Sequence, residues 1–278
     1  MFNQNDKLLS ETGFNQKNFS EVIMLQDKLN SKIHPEWMKQ DFNFKLANIL
    51  ESAELLDSFD WKWWKKGETD WLNIEVEMID IFLFSLSQSI IDNTTESIGS
   101  ILLTKDLVLK SNKKEIIFND ELVEKIQDIM QKKLIPAINV STIHIIVAWT
   151  EIWYLMGFDS DYLFKQFKMK YALNQFRQSN GYKDGTYNKI WNGKEDNLHA
   201  LQFATTIPND ENFIDALIIM FNTEYATVTD LVARDIKSFI TDTPKYKLLF
   251  PQMKEADRNV MVELALDYHN YMIYDKVK

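Results

Sequence analysis

Apolar residues recur at helical spacing along most of the chain. Val22, Ile23, Leu25, Gln26 and Leu29 fall on one side of a segment predicted to be helical over 19–33, with Asn18 or Ser20 placed to cap it. A second helix is expected from about Pro35 to Phe59. A third runs from Trp71 to Ile91 behind Thr69 or Asp70, and its run of Met78, Ile79, Ile81, Phe82, Leu83, Phe84 and Leu86 predicts a central helix buried on most faces. Residues 92–118 lack clear periodicity and read as an insertion. Helical patterns return over 120–134, 140–156 and 159–178; Gly157 closes the second, and Asp159 or Ser160 caps the third. Gly181, Gly185 and Gly193 then mark a loop from Ser179 to Asn197, followed by helical patterns near 198–205, 211–221, 228–239 and 255–274.

Composition sharpens this all-α picture. Seven glycines and five prolines are few for 278 residues, and no proline lies between Pro35 and Pro136. The formal charge of −10 argues against a general nucleic-acid binder. The absence of cysteine excludes disulfides, thiolate nucleophiles and Cys-ligated zinc. No apolar stretch is long and uncharged enough to cross a membrane, and no signal peptide is visible, so a cytoplasmic location and no membrane partner are expected.

Any metal site must therefore rest mainly on carboxylates. Glu51 and Glu54 lie at i, i+3 on the second helix, and Glu77 and Asp80 at i, i+3 on the third. Either pair alone is ordinary for a solvated helix face. Two pairs on adjoining apolar helices would gather four carboxylates, a cost that a hard divalent cation such as Mg²⁺ or Mn²⁺ offsets. A charge reversal follows at 165–194, where seven basic residues accompany one acid, Asp184. Lys170, Asn174 and Arg177 share a helix face there, and the glycine loop adds Tyr182, Lys183, Tyr187, Lys189 and Asn192; the set suits a polyphosphate or a weaker anion patch. Trp61, Trp63, Trp64 and Trp71 cluster after the second helix, where they could cover a base or pack in a core, and Gln26 and Asn30 at i, i+4 offer amides to a base edge.

These residues resemble one family, the dimeric all-α dUTPases within the all-α nucleoside triphosphate pyrophosphohydrolases. Four ordered blocks carry the resemblance: LQDKLN at 25–30, ESAELLDSFDWKWWK at 51–65, IEVEMIDIFLF at 74–84 and KYALNQFRQSNGYKDGTYNKIWNGKEDN at 170–197. It covers about 18–205, a catalytic region with a variable insertion near 92–138, between an N-terminal extension (1–17) and a C-terminal helical extension (206–278). The resemblance implies an all-α multi-helix bundle that dimerises and hydrolyses dUTP, and commonly dUDP, to dUMP with Mg²⁺, for which Mn²⁺ could substitute. It assigns Glu51, Glu54, Glu77 and Asp80 to the metal, with Glu51 favoured over Glu54 as the base acting on water. Lys65, Lys170, Arg177, Tyr182 and Lys189 would bind phosphate; Asn174 and Asn192 would contact sugar or phosphate; Gln26, Asn30 and Trp63 would surround uracil. A related enzyme for dCTP or a modified nucleotide, and a nucleotide-sensing interaction protein without turnover, are the competing expectations.

Overall fold

The computed structural model describes residues 14–111 and 116–226. The chain divides into two compact units, Met1–Tyr171 and Ala172–Lys278.

In the first unit, helix α1 (Gln16–Ile33) starts earlier than its pattern suggests, because Asn15 accepts the N–H groups of Lys17 at 2.9 Å and Asn18 at 3.3 Å. Helix α2 (Phe44–Asp57) begins at Phe44 and not near Pro35. The intervening residues form a short 3-10 turn, Trp37–Lys39, in which Trp37 is buried and its indole donates to Asp27 Oδ1 at 2.8 Å. Asn43 then caps α2 through Leu46 N–H at 2.9 Å. A buried indole and a second cap thus fix a break that apolar spacing does not register.

Helix α3 (Trp71–Ile91) is the central element. Asp70 caps it at Asn73 N–H, 3.0 Å, and it packs against α1, α2, α4 (Thr95–Ser111) and α6 (Thr142–Leu155). Its most extensive partner is α2. Helix α4 occupies much of the segment expected to be an irregular insertion. Its inward positions are Ile98, Leu102 and Asp106, so the third core site of the repeat is an acid. Asp106 is tolerated because Tyr154 Oη donates to it, as do Ser160 N and Ser160 Oγ, both at 3.1 Å.

Helix α5 (Asp120–Ile129), capped by Asn119 at Leu122 N–H, runs into a π-helical turn, Met130–Leu134, and a last turn at Ile135–Ala137. Pro136 has no N–H and its ring crowds the preceding turn, which the wider turn relieves. Helix α6 is tied to α3 by the Trp149 indole, which donates to Met78 O at 2.7 Å, and Trp149 stacks on Trp153 with centroids 5.1 Å apart. Gly157 closes α6 at φ +82, as its position predicts, and Asp159 caps helix α7 (Ser160–Ser179) through Tyr162 N–H at 2.9 Å.

The second unit contains the end of α7, a two-stranded antiparallel hairpin (β1, Ile190–Trp191; β2, Lys194–Glu195), helix α8 (Asp196–Thr206) and helix α9 over 213–226. The segment read as a loop therefore encloses a hairpin. Asn192 and Gly193 both hold positive φ, 47 and 80, as a two-residue hairpin turn demands. Phe176, Trp191, Phe221 and Tyr225 form its aromatic core. The helices expected at 228–239 and 255–274 lie outside the described residues.

Candidate active site

The packing of α2 along α3 brings the two acidic pairs onto adjoining faces. Glu51, Glu77 and Asp80 each offer a carboxylate oxygen within 4.8 Å of the others, and Glu77 is buried. Burial first, and the charge of Asp80 second, raise Glu51 to about 7 and Glu77 to about 8. The two glutamates also share a hydrogen bond. Three acids held this close in a half-dry setting need a positive charge or a proton. Lys170 supplies one charge: its Nζ lies 2.8 Å from Asp80 Oδ2. An all-oxygen donor set of three carboxylates suits a hard divalent cation. Glu54, one turn beyond Glu51, is exposed and outside this trio, although its charge also raises Glu51.

The amides of Gln26 and Asn30 meet on α1, with Gln26 Nε2 donating to Asn30 Oδ1 at 3.1 Å. Both also donate to Ser87 Oγ on α3, each at 2.9 Å, and the Ser87 hydroxyl donates to Leu83 O at 2.9 Å. Ser87 was not singled out in the sequence, where it is one of several serines in an apolar helix. Its effect is to turn Gln26 so that Oε1 is buried yet has no hydrogen-bond partner among the described residues. Trp63 is 90% exposed, beside Trp61 and Trp64, and Lys65 is exposed.

Within the second unit, three of the residues assigned to phosphate lie together. Arg177 Cζ is 5.6 Å and Lys189 Nζ 5.5 Å from the centroid of the Tyr182 ring. Arg177 is held by Asp196, which is fully buried: Nε donates to Oδ2 at 2.8 Å and Nη2 to Oδ1 at 2.6 Å. Asn174 Oδ1 accepts from Nη1 at 3.3 Å, and Tyr187 Oη donates to Asp196 Oδ2 at 2.8 Å. Asn192 donates its side-chain amide to Glu224 at 2.6 Å. Neither Asp196 nor Glu224 was marked by the charge pattern, which counts acids without showing which of them face a cation. The basic run is thus less free than its composition suggests. Lys168 pairs with Glu21 at 3.0 Å, Lys170 with Asp80 and Arg177 with Asp196.

Among the described residues no helix is long and apolar enough to cross a membrane. No curated protein matches the chain. Residues 18–182 match the family described as dUTPase, a stretch that includes the carboxylate trio, the Gln26–Asn30 pair and all of α7. Family match and helical architecture agree, and the chain belongs to the all-α dUTPases, enzymes that hydrolyse dUTP.

Proposed function

We propose that the protein is a Mg²⁺-dependent, cytoplasmic dUTP diphosphatase that converts dUTP, and also dUDP, to dUMP. The observation that carries this reading is the trio Glu51, Glu77 and Asp80 within 4.8 Å. With Glu54 they would hold Mg²⁺, or Mn²⁺ in its place. Bound there, the cation supplies neutralising charge for the polyphosphate and acidifies water. Glu51, at the edge of the trio and only partly buried, would accept the proton from the attacking water. Lys65, Lys170, Arg177, Tyr182 and Lys189 would offset phosphate charge, and Asn174 and Asn192 would contact sugar or phosphate.

Gln26 supports uracil over cytosine. Its buried Oε1 is an acceptor without a partner among the described residues, which the N3–H of uracil can satisfy, whereas cytosine presents a lone pair at N3. Asn30 adjoins it, and the exposed Trp63 offers a ring face for a base. A homodimer is supported by an apolar stripe on the outer side of α2, where Leu46, Ile49 and Leu50 are exposed.

Product analysis with Mg²⁺ and each of dUTP, dUDP, dCTP, dTTP and UTP tests this reading. We expect dUMP from dUTP and dUDP alone, and a loss of at least about 10²-fold in kcat for Glu54→Gln with unchanged folding. Full activity of that variant would remove Glu54 from the machinery, and preference for dCTP would overturn the base assignment.

A further inference from the structure

Helix α9 and the hairpin that follows Lys189 both lie beyond the residues that match the family, and two consecutive side chains on α9 grip that hairpin. Tyr225 Oη accepts the backbone N–H of Asn188 at 3.1 Å, and Glu224 Oε1 accepts from Asn192 Nδ2 at 2.6 Å. These anchors flank Lys189 on both sides in sequence. Asn188 is itself a junction: its Oδ1 accepts Ile190 N–H at 2.9 Å and its carbonyl accepts the Trp191 indole N–H at 3.0 Å. From within the hairpin unit, Lys189 O accepts Asp196 N–H at 2.8 Å. The Tyr225 ring stacks on Tyr187 with centroids 5.2 Å apart, and Tyr187 in turn donates to the carboxylate that holds Arg177.

We propose that Glu224 and Tyr225 are positioning residues that hold Asn188 to Asn192 in the shape that presents the Lys189 ammonium to the triphosphate; the inference rests on the reading of Lys189 as a phosphate ligand. Lys189 carries a flexible side chain on a short hairpin whose turn residues are both left-handed. Fixing the backbone on either side of it before the nucleotide arrives spares the ordering cost at binding. The effect belongs to substrate affinity and not to bond breaking, because neither residue of α9 is assigned to the reacting atoms. A helix that served only as apolar cover would act through Phe221 and the Tyr225 ring, without need of the phenol oxygen or the carboxylate.

The full-length chain distinguishes these cases. Tyr225→Phe keeps the ring and deletes the acceptor; Glu224→Ala deletes the second acceptor, and Glu224→Gln keeps one. Three quantities are read for each: kcat and KM for dUTP, binding of inorganic tripolyphosphate, and hydrogen exchange at the Asn188 amide. Tyr225→Phe and Glu224→Ala should each raise KM about three- to tenfold with kcat within about twofold, and weaken tripolyphosphate to the same extent. Asn188 should exchange faster in Tyr225→Phe, and Glu224→Gln should restore wild-type affinity. Unchanged KM and unchanged tripolyphosphate binding, even with lowered thermal stability, would overturn the proposal and leave α9 as structural cover. If the wild-type protein binds tripolyphosphate but does not turn over dUTP, the assigned reaction fails, while the affinity and exchange data still decide the role of α9.

Discussion

Lys170 Nζ lies 2.8 Å from Asp80 Oδ2, so a residue expected to meet phosphate is joined to one expected to meet metal. The ammonium also pulls down the proton affinity of both Glu51 and Glu77, against burial and Asp80, which raise it. Replacing it with Met should raise that affinity further and let protons compete better with a cation. We expect the Mg²⁺ affinity of Lys170→Met to rise more steeply between about pH 7 and about pH 9 than that of the wild-type chain, because the carboxylates then lose their protons later. Calorimetric titration at both pH values checks this, and an unaltered pH dependence would show that Lys170 does not govern the carboxylates.

Without metal, the same glutamates set how stability changes with pH. Their folded values, about 7 and about 8, exceed the ordinary 4.5, so the folded protein binds more protons than the unfolded chain between those limits. Stability is therefore greatest below about 4.5 as far as this pair is concerned and is lost as pH rises through 7 and 8. Glu75, raised by burial, acts in the same direction. Metal-free melting temperatures should fall from about pH 5.5 to about pH 8.5, and added Mg²⁺ should raise the melting temperature more at the higher pH. A metal-free melting temperature that rises across this range would contradict the assigned shifts.

Asp196→Asn leaves the shape of the second unit and removes the charge that Arg177 is paired with. Losing one partner of a buried ion pair costs about 3–5 kcal/mol, because the remaining charge stays in a dry site. Urea unfolding should show a loss of that order, together with weaker tripolyphosphate binding through a misdirected guanidinium. A variant as stable as wild type would mean that Asp196 does not hold Arg177.

The parts of the fold that could be read in the sequence were those where one local signal dominates. The apolar run of α3, its Asp70 cap and the Gly157 stop are of this kind, and so are three of the four paired acids, Glu51, Glu77 and Asp80, while Glu54 stands outside their cluster. Helix α4 is hidden in the sequence because Asp106 stands where a hydrophobic residue would complete the pattern, and its partners Tyr154 and Ser160 lie far along the chain. Ser87 and Asp196 are inconspicuous in the sequence for a related reason. Each matters through residues brought to it by folding, and an isolated serine or acid carries no mark of that. The start of α2 was displaced by Trp37, whose burial outweighs the periodic pattern around it.

The π-helical turn at Met130–Leu134 reconciles two rhythms in the chain. Leu122, Ile126, Met130 and Leu134 are all buried and recur every fourth residue, whereas an uninterrupted α-helix rotates such a row by about 40° at each step. By the last of them the row would have wound about 120° away from the core. The wider turn absorbs the excess, as though one residue had been inserted and kept. Regular helical hydrogen bonding at the present length would swing Leu134 about 120° off the face it shares with Leu122, whereas removing a single residue between Met130 and Leu134 would restore that bonding and leave Leu134 within about 20° of the face, so the extra residue and the wider turn come as a pair.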